Sequence, residues 1–201
     1  MSHLKIESAR RQLGTAMALY LEDRDPVSVH CLAGGACELL DFYARKGGGN
    51  AFTSHILSTV PELDIAEVYR LQRQYWNAFK HATHGRGREE RDDDELLARF
   101  SDERNDTAFF IGWHDYAEVT GGMPLEAQVH QSWYIALHPE KLAPEHSAEP
   151  FFQLFPDLKH QSRHEQKRML RRVIEVYRHD EAIMSDPMTD ARDLVINWAP
   201  I

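Results

Sequence analysis

Five residues near the middle of the chain have side chains suited to holding a phosphate and moving a proton: Arg73, Asn77, Lys80, His81 and His84. An imidazole with an ordinary pKa near neutrality takes or gives a proton at physiological pH. A guanidinium and an ammonium offset the charge of an anion, and a carboxamide orients either partner. At helical pitch the five fall on one face of the segment 70–84, and Val68, Leu71, Tyr75, Ala78, Phe79 and Ala82 fall on the other. The polar face carries no carboxylate. Between Arg70 and Arg91 there are six Lys or Arg against two Glu, inside a chain of formal net charge −9. A face that only keeps a helix wet mixes charge signs, so this excess marks a candidate anion site.

His30 is the next candidate. It lies early in a second helical segment, beside Cys31 and four residues before Gly34-Gly35. Paired glycines inside a helix cost roughly 1 kcal/mol each relative to Ala, so they must permit a close approach, with a packed helix the expected neighbour. A histidine there is more commonly a hydrogen-bonded core residue, but it would share a site with His81 if the two helices were neighbours. Glu38, two turns further on, could orient it. His30, Cys31, His81, His84 and Asp92-Asp-Asp94 also offer metal-ligand atoms. There is no His-Glu-x-x-His and no pair of cysteines two residues apart, so neither a metal nor another cofactor is expected. Trp113-His-Asp115 reads as a packed aromatic beside a surface pair.

The elements that must position these residues are helical. Apolar residues recur at Ile6, Ala9, Leu13, Ala16, Met17 and Tyr20, which predicts a helix over 5–22. Asp25-Pro26 supplies a cap acceptor and a first-turn proline for a second helix ending at Lys46-Gly-Gly-Gly49, antiparallel to the first. Asp64-Ile-Ala-Glu67 reads as a capping box opening the helix that carries Arg73, which fades at Gly85-Arg-Gly87. The run Glu89–Glu95 reads as a solvated loop or the frayed start of a short helix. Further helices are predicted around Phe109, Trp113 and Tyr116, closed by Gly121-Gly122; over Leu125–Leu137; and over Leu158–Ile183, with Arg163, Lys167, Arg168, Arg171 and Arg172 on its basic side. Phe151, Phe152, Leu154 and Phe155, in the long connection before that last helix, must pack somewhere. No strand, hairpin or repeat is evident, even in the tail 194–198.

A chain of 201 residues with 42% hydrophobic residues suffices for one core, and the expectation is a single all-α domain over 1–201, an irregular bundle of about six to eight helices. No apolar run is long enough for a membrane span, and no basic-then-apolar leader is present, so a cytoplasmic protein with no membrane partner is expected. Cys31 and Cys37, about 9 Å apart along one helix, cannot form a disulfide and suit a reducing compartment.

The segment Asp25-Pro-Val-Ser-Val-His-Cys-Leu-Ala-Gly-Gly-Ala36, followed by Trp76-Asn-Ala-Phe-Lys-His-Ala82, resembles an uncharacterised bacterial helical family that is itself similar to the HEPN group. The resemblance covers roughly the N-terminal half. It implies a helical bundle, a homodimer, RNA as partner, and a metal-independent ribonuclease or a toxin or defence component acting through an Arg and a His. The chemistry would be transesterification. His81 would exchange a proton with the attacking 2′-hydroxyl or the leaving oxygen, Arg73 and Lys80 would offset charge on the phosphorane, and Asn77 would orient the phosphate or the imidazole. Seven residues separate Arg73 from His81, more than active members place between their pair. Arg24 with His30 and Arg172 with His179 fit the spacing, but 17 Arg and 12 His produce such pairs by chance. The other class the sequence allows is a non-enzymatic regulator that binds a partner or oligomerises through the polar helix; the basic side of the last helix is a second docking surface, for nucleic acid or an acidic protein.

Overall fold

The computed structural model describes residues 3–84, 87, 89–143 and 145–197. Among them are ten α-helices, two 3-10 turns and no strand, so the all-helical expectation holds. The chain divides into two compact units, 1–120 with 194–201 and 121–193.

The first unit holds α1 (His3–Leu21), α2 (Pro26–Lys46), α3 (Phe52–Thr59), α4 (Ile65–Lys80), α5 (Asp94–Leu97) and α6 (Arg104–Thr120). α2 is its axis, packed by α1, α4 and α6. Its sequence explains why. Ala33 and Ala36 are fully buried, and Gly34 and Gly35 lie between them, so partners approach from several sides. A Cβ on Gly34 would lie 2.6 Å from Trp76 Cγ of α4, and one on Gly35 would lie 2.7 Å from Gln12 Oε1 of α1. Packing is therefore the reason for the glycine pair.

α2 starts as expected, with Asp25 accepting from Val27 N and Ser28 N and Pro26 in the first turn. The turn before it passes through Asp23 at φ 56°, folding α1 back on α2. Leu13, Met17 and Tyr20 of α1, Leu40 of α2, and Phe109 and Trp113 of α6 form the solvent-free core. Each such side chain contributes about 1.5–3 kcal/mol through burial. Tyr20 donates its hydroxyl to Asp106 Oδ1 at 2.6 Å inside that core. The stretch around Thr53–Thr59 forms a helix, α3, whose own cap residue Ala51 has no side-chain acceptor. Asp115 of α6 takes over the role, its Oδ1 accepting from Phe52 N at 2.7 Å.

The second unit holds α7 (Leu125–Leu137), α8 (Glu149–Leu154), α9 (Arg163–Tyr177) and α10 (Glu181–Met184), with 3-10 turns at Pro139–Lys141 and Leu158–His160. Trp133 of α7 is fully buried and donates Nε1 to Gln166 O of α9 at 3.0 Å. Phe155 and Leu158 are buried, whereas Phe152 of the same aromatic run stays exposed. The single helix expected over 158–183 is three pieces, because Ser162 caps a new start by accepting from Glu165 N, and Asp180 does the same for α10. Its basic side is also less uniform than its composition. Lys167 is buried, and Arg168 pairs with Glu165 at 2.7 Å. No helix among the described residues is long and apolar enough to cross a membrane.

Candidate functional site

α4 begins where expected, with Asp64 accepting from Glu67 N at 2.8 Å, but it stops at Lys80. His81 is its C-cap, in extended conformation, and His81 and His84 are exposed beyond the helix. The helix expected through residue 84 is thus corrected. The backbone of 82–84 pairs instead with 89–91, His84 N donating to Glu89 O at 3.1 Å and Arg91 N to Ala82 O at 3.0 Å, which competes with further helical turns. Arg86 and Arg88, two of the six basic residues counted in this region, and the predicted fade at Gly85, fall outside the described residues, as does Trp198 of the tail.

The buried side of α4 is also rotated from the expected one. Leu71 is 45% exposed, whereas Val68, Tyr75 and Trp76 are buried, because Trp76 is the residue that meets Gly34. Lys80 lies over the Trp76 ring, 3.2 Å from its centroid. Arg73 turns towards α2. It stacks on Tyr69 at 4.1 Å, and its Nη1 and Nη2 lie 3.6 Å from Glu38 Oε1 and 4.0 Å from Asp41 Oδ2. Glu38 therefore answers Arg73 rather than orienting His30.

These packings leave a cleft of about 130 Å³ between α2, α4 and α6. Of the residues singled out from sequence, His30, Glu38 and Arg73 line it; Asn77, Lys80, His81 and His84 do not. Four residues that sequence reasoning passed over complete it: Asp41, Gln72 and Arg104 in the wall, and Asn105 just behind. No sequence signal marked Asp41, which stands between Leu40 and Phe42 and three residues after Glu38, as an acid on any wet helix side would.

His30 is 5% exposed, its ring edge-on to Tyr75, Phe79 and Phe100. Nδ1 lies 2.9 Å from Asn105 Oδ1, and Asn105 Nδ2 donates to Pro26 O at 3.1 Å. The second bond fixes which end of the amide faces the histidine. Oδ1 can only accept, so Nδ1 carries the proton and Nε2 keeps the lone pair. Burial lowers the His30 pKa below the ordinary histidine value; the Asn105 bond opposes this and the positive charge of Arg104 reinforces it. The ring is a neutral, oriented proton acceptor.

Asp41 is 5% exposed. Its Oδ2 accepts from Arg45 Nη2 at 2.9 Å and from the Tyr69 hydroxyl at 2.9 Å; its Oδ1 is buried without a hydrogen-bond partner, and so is Gln72 Nε2. Arg104 lies 5.4 Å over the Tyr75 ring, and no carboxylate pairs with it among the described residues. The cleft acids are thus answered by Arg45 and Arg73, which leaves Arg104 as the cation available to a ligand.

The cysteine in the wall is no nucleophile. Burial, with Asp115 and Asp41 nearby, pushes the Cys37 thiol up to about 12, and its Sγ donates to Ala108 O at 3.3 Å. Cys31 is likewise a free thiol. Asp115, expected on the surface, is fully buried, and desolvation pushes it up to about 6. Among the described residues no group of three His, Cys, Asp or Glu could hold a metal ion. Compared with known proteins, the chain matches no family model, no curated protein and no solved structure, so its function is read from this cleft.

Proposed function

We propose that the cleft between α2, α4 and α6 binds a phosphate-bearing ribonucleotide, as part of an RNA strand, with Arg104 holding the phosphate and His30 accepting a proton from a ligand hydroxyl. The carrying observation is the pairing of a neutral imidazole, its Nδ1 fixed by Asn105, with a cation in the same lining that no carboxylate among the described residues claims. Low dielectric around His30 strengthens its pull on a ligand, while Arg104 meets the phosphate from the exposed rim. The Lys80 and His81 end of α4 would then add only diffuse attraction for the strand beyond the cleft.

Labelled RNAs of mixed sequence, incubated in chelator with wild type, His30→Gln and Arg104→Ala, test this. Saturable binding that weakens about tenfold in Arg104→Ala is expected. Cleavage should be lost in His30→Gln while binding persists. Binding absent at low salt, or unchanged in Arg104→Ala, sinks the proposal. A second reading, binding without turnover in a regulatory protein, is favoured by Glu38 and Asp41 in the lining, which repel negative charge accumulating in a transition state. Saturable binding with no cleavage by wild type selects it.

A further inference from the structure

Phosphate binding leaves two buried polar atoms of the same cleft without employment. Asp41 Oδ1 and Gln72 Nε2 are both shielded from solvent and both lack a hydrogen-bond partner among the described residues, and both residues line the cleft. Desolvating either without a bond is unfavourable, so a pair of them in one small cleft points to a molecule that satisfies both. Their polarities are opposite, since an ionised carboxylate oxygen only accepts and an amide nitrogen only donates.

The position of Asp41 is fixed. Asp41 cannot swing to reach Gln72, because Arg45 and Tyr69 hold its other oxygen at 2.9 Å each. Arg73, next to Gln72 in sequence, faces the same carboxylate at 4.0 Å, which puts this turn of α4 opposite this turn of α2. Two guanidinium groups already offset the Asp41 charge, so the site suits a neutral N–H rather than a cation. Leu71 and Ile111 supply apolar wall for the faces of a flat ring.

We infer that Asp41 and Gln72 read the edge of a nucleobase, where an N–H lies beside a carbonyl oxygen or a ring nitrogen. The N–H donates to Asp41 Oδ1 and the neighbouring acceptor receives Gln72 Nε2. The inference rests on the ribonucleotide reading and deepens it, because it separates a phosphate end at Arg104 from a base end at Asp41 and Gln72.

Calorimetric titration of the full chain with ribose 5-phosphate and with each of the four common ribonucleoside 5′-monophosphates tests it, followed by the same series on Gln72→Leu. At least one nucleotide is expected to bind about tenfold more tightly than ribose 5-phosphate, from one well-formed base contact pair. Gln72→Leu should erase that advantage, leave ribose 5-phosphate affinity unchanged, and raise the melting temperature of the free protein by removing an unsatisfied buried donor. Equal affinities for all five compounds overturn the base-reading role and leave the phosphate site standing. A nucleotide preference that survives in Gln72→Leu overturns it too, and binding of none of the five overturns both readings. The wild-type series needs no variant, so the inference stays falsifiable if Gln72→Leu fails to fold.

Discussion

The C-terminal end and the middle of α4 both carry a cation among polar residues and differ in everything that gives such residues chemical force. At its C-terminal end Lys80, His81 and His84 are exposed, and the backbone has left the helix. In its middle turns Gln72 and Arg73 face α2 across a cleft shared with a histidine whose tautomer is set by a carboxamide. The two histidines of the first group face solvent, whereas the protein holds the second. Composition located both, but only burial and a fixed partner distinguish a site from a wet surface.

The sharpest way to break this contrast is to remove the side chain that builds the cleft. Trp76→Ala should cost about 3–5 kcal/mol in denaturant unfolding, whereas His81→Ala should stay within about 0.5 kcal/mol. Comparable losses would mean that the exposed end is structural after all. A smaller effect concerns the buried acid behind the cleft. The folded-state pKa of Asp115 is raised from 3.8 to about 6, so the folded protein holds that proton where the unfolded chain has released it. Its stabilising contribution is fully present below pH 3.8 and is lost as pH rises through about 6, roughly 2–3 kcal/mol in all. Asp115→Asn, which keeps an acceptor for Phe52 N, should flatten that segment of the stability–pH curve. An unchanged curve would refute the assignment.

His30 gives an effect of opposite sign. Its folded-state pKa lies below the ordinary histidine value, so stability is held at neutral pH and declines as acid drives the ring to charge. The imidazole resonances should titrate below the usual range in a pH series by NMR, and a value at or above it would contradict the desolvated, neutral ring. The smallest expected change is in Arg104→Ala, an exposed residue whose removal should alter stability by less than about 0.5 kcal/mol while weakening phosphate binding. A large stability loss there would make Arg104 a structural residue.

Much of the helix count was legible because its signals are local: the Asp25-Pro26 and Asp64 caps, the apolar spacing of α1, and the Gly121 stop all act within a turn or two. The break at Lys80 was not, because it depends on the competing pairing of 82–84 with 89–91, whereas the break at Ser162 carried a local signal, Ser162 three residues before Glu165, that the sequence reading missed. The cleft was legible in halves. His30 and Arg73 drew notice by type, but Asp41, Gln72 and Asn105 are ordinary polar residues until helices distant in sequence bury them. The rotation of α4 that exposes Leu71 and buries Trp76 follows from one tertiary contact, with Gly34, and no helical period encodes it.

The segment at Leu194 gives the fold a temporal constraint. Buried Arg10 of α1 donates Nη1 to Leu194 O at 3.3 Å, across 184 positions of sequence, and that same carbonyl lies where a Cβ on Gly14 would sit, at 2.0 Å. During synthesis α1 stays without this cover until all of 121–193 has been translated, because Leu194 follows that unit in sequence. Until then a buried-type arginine and a groove cut for a peptide carbonyl stand open on the nascent chain.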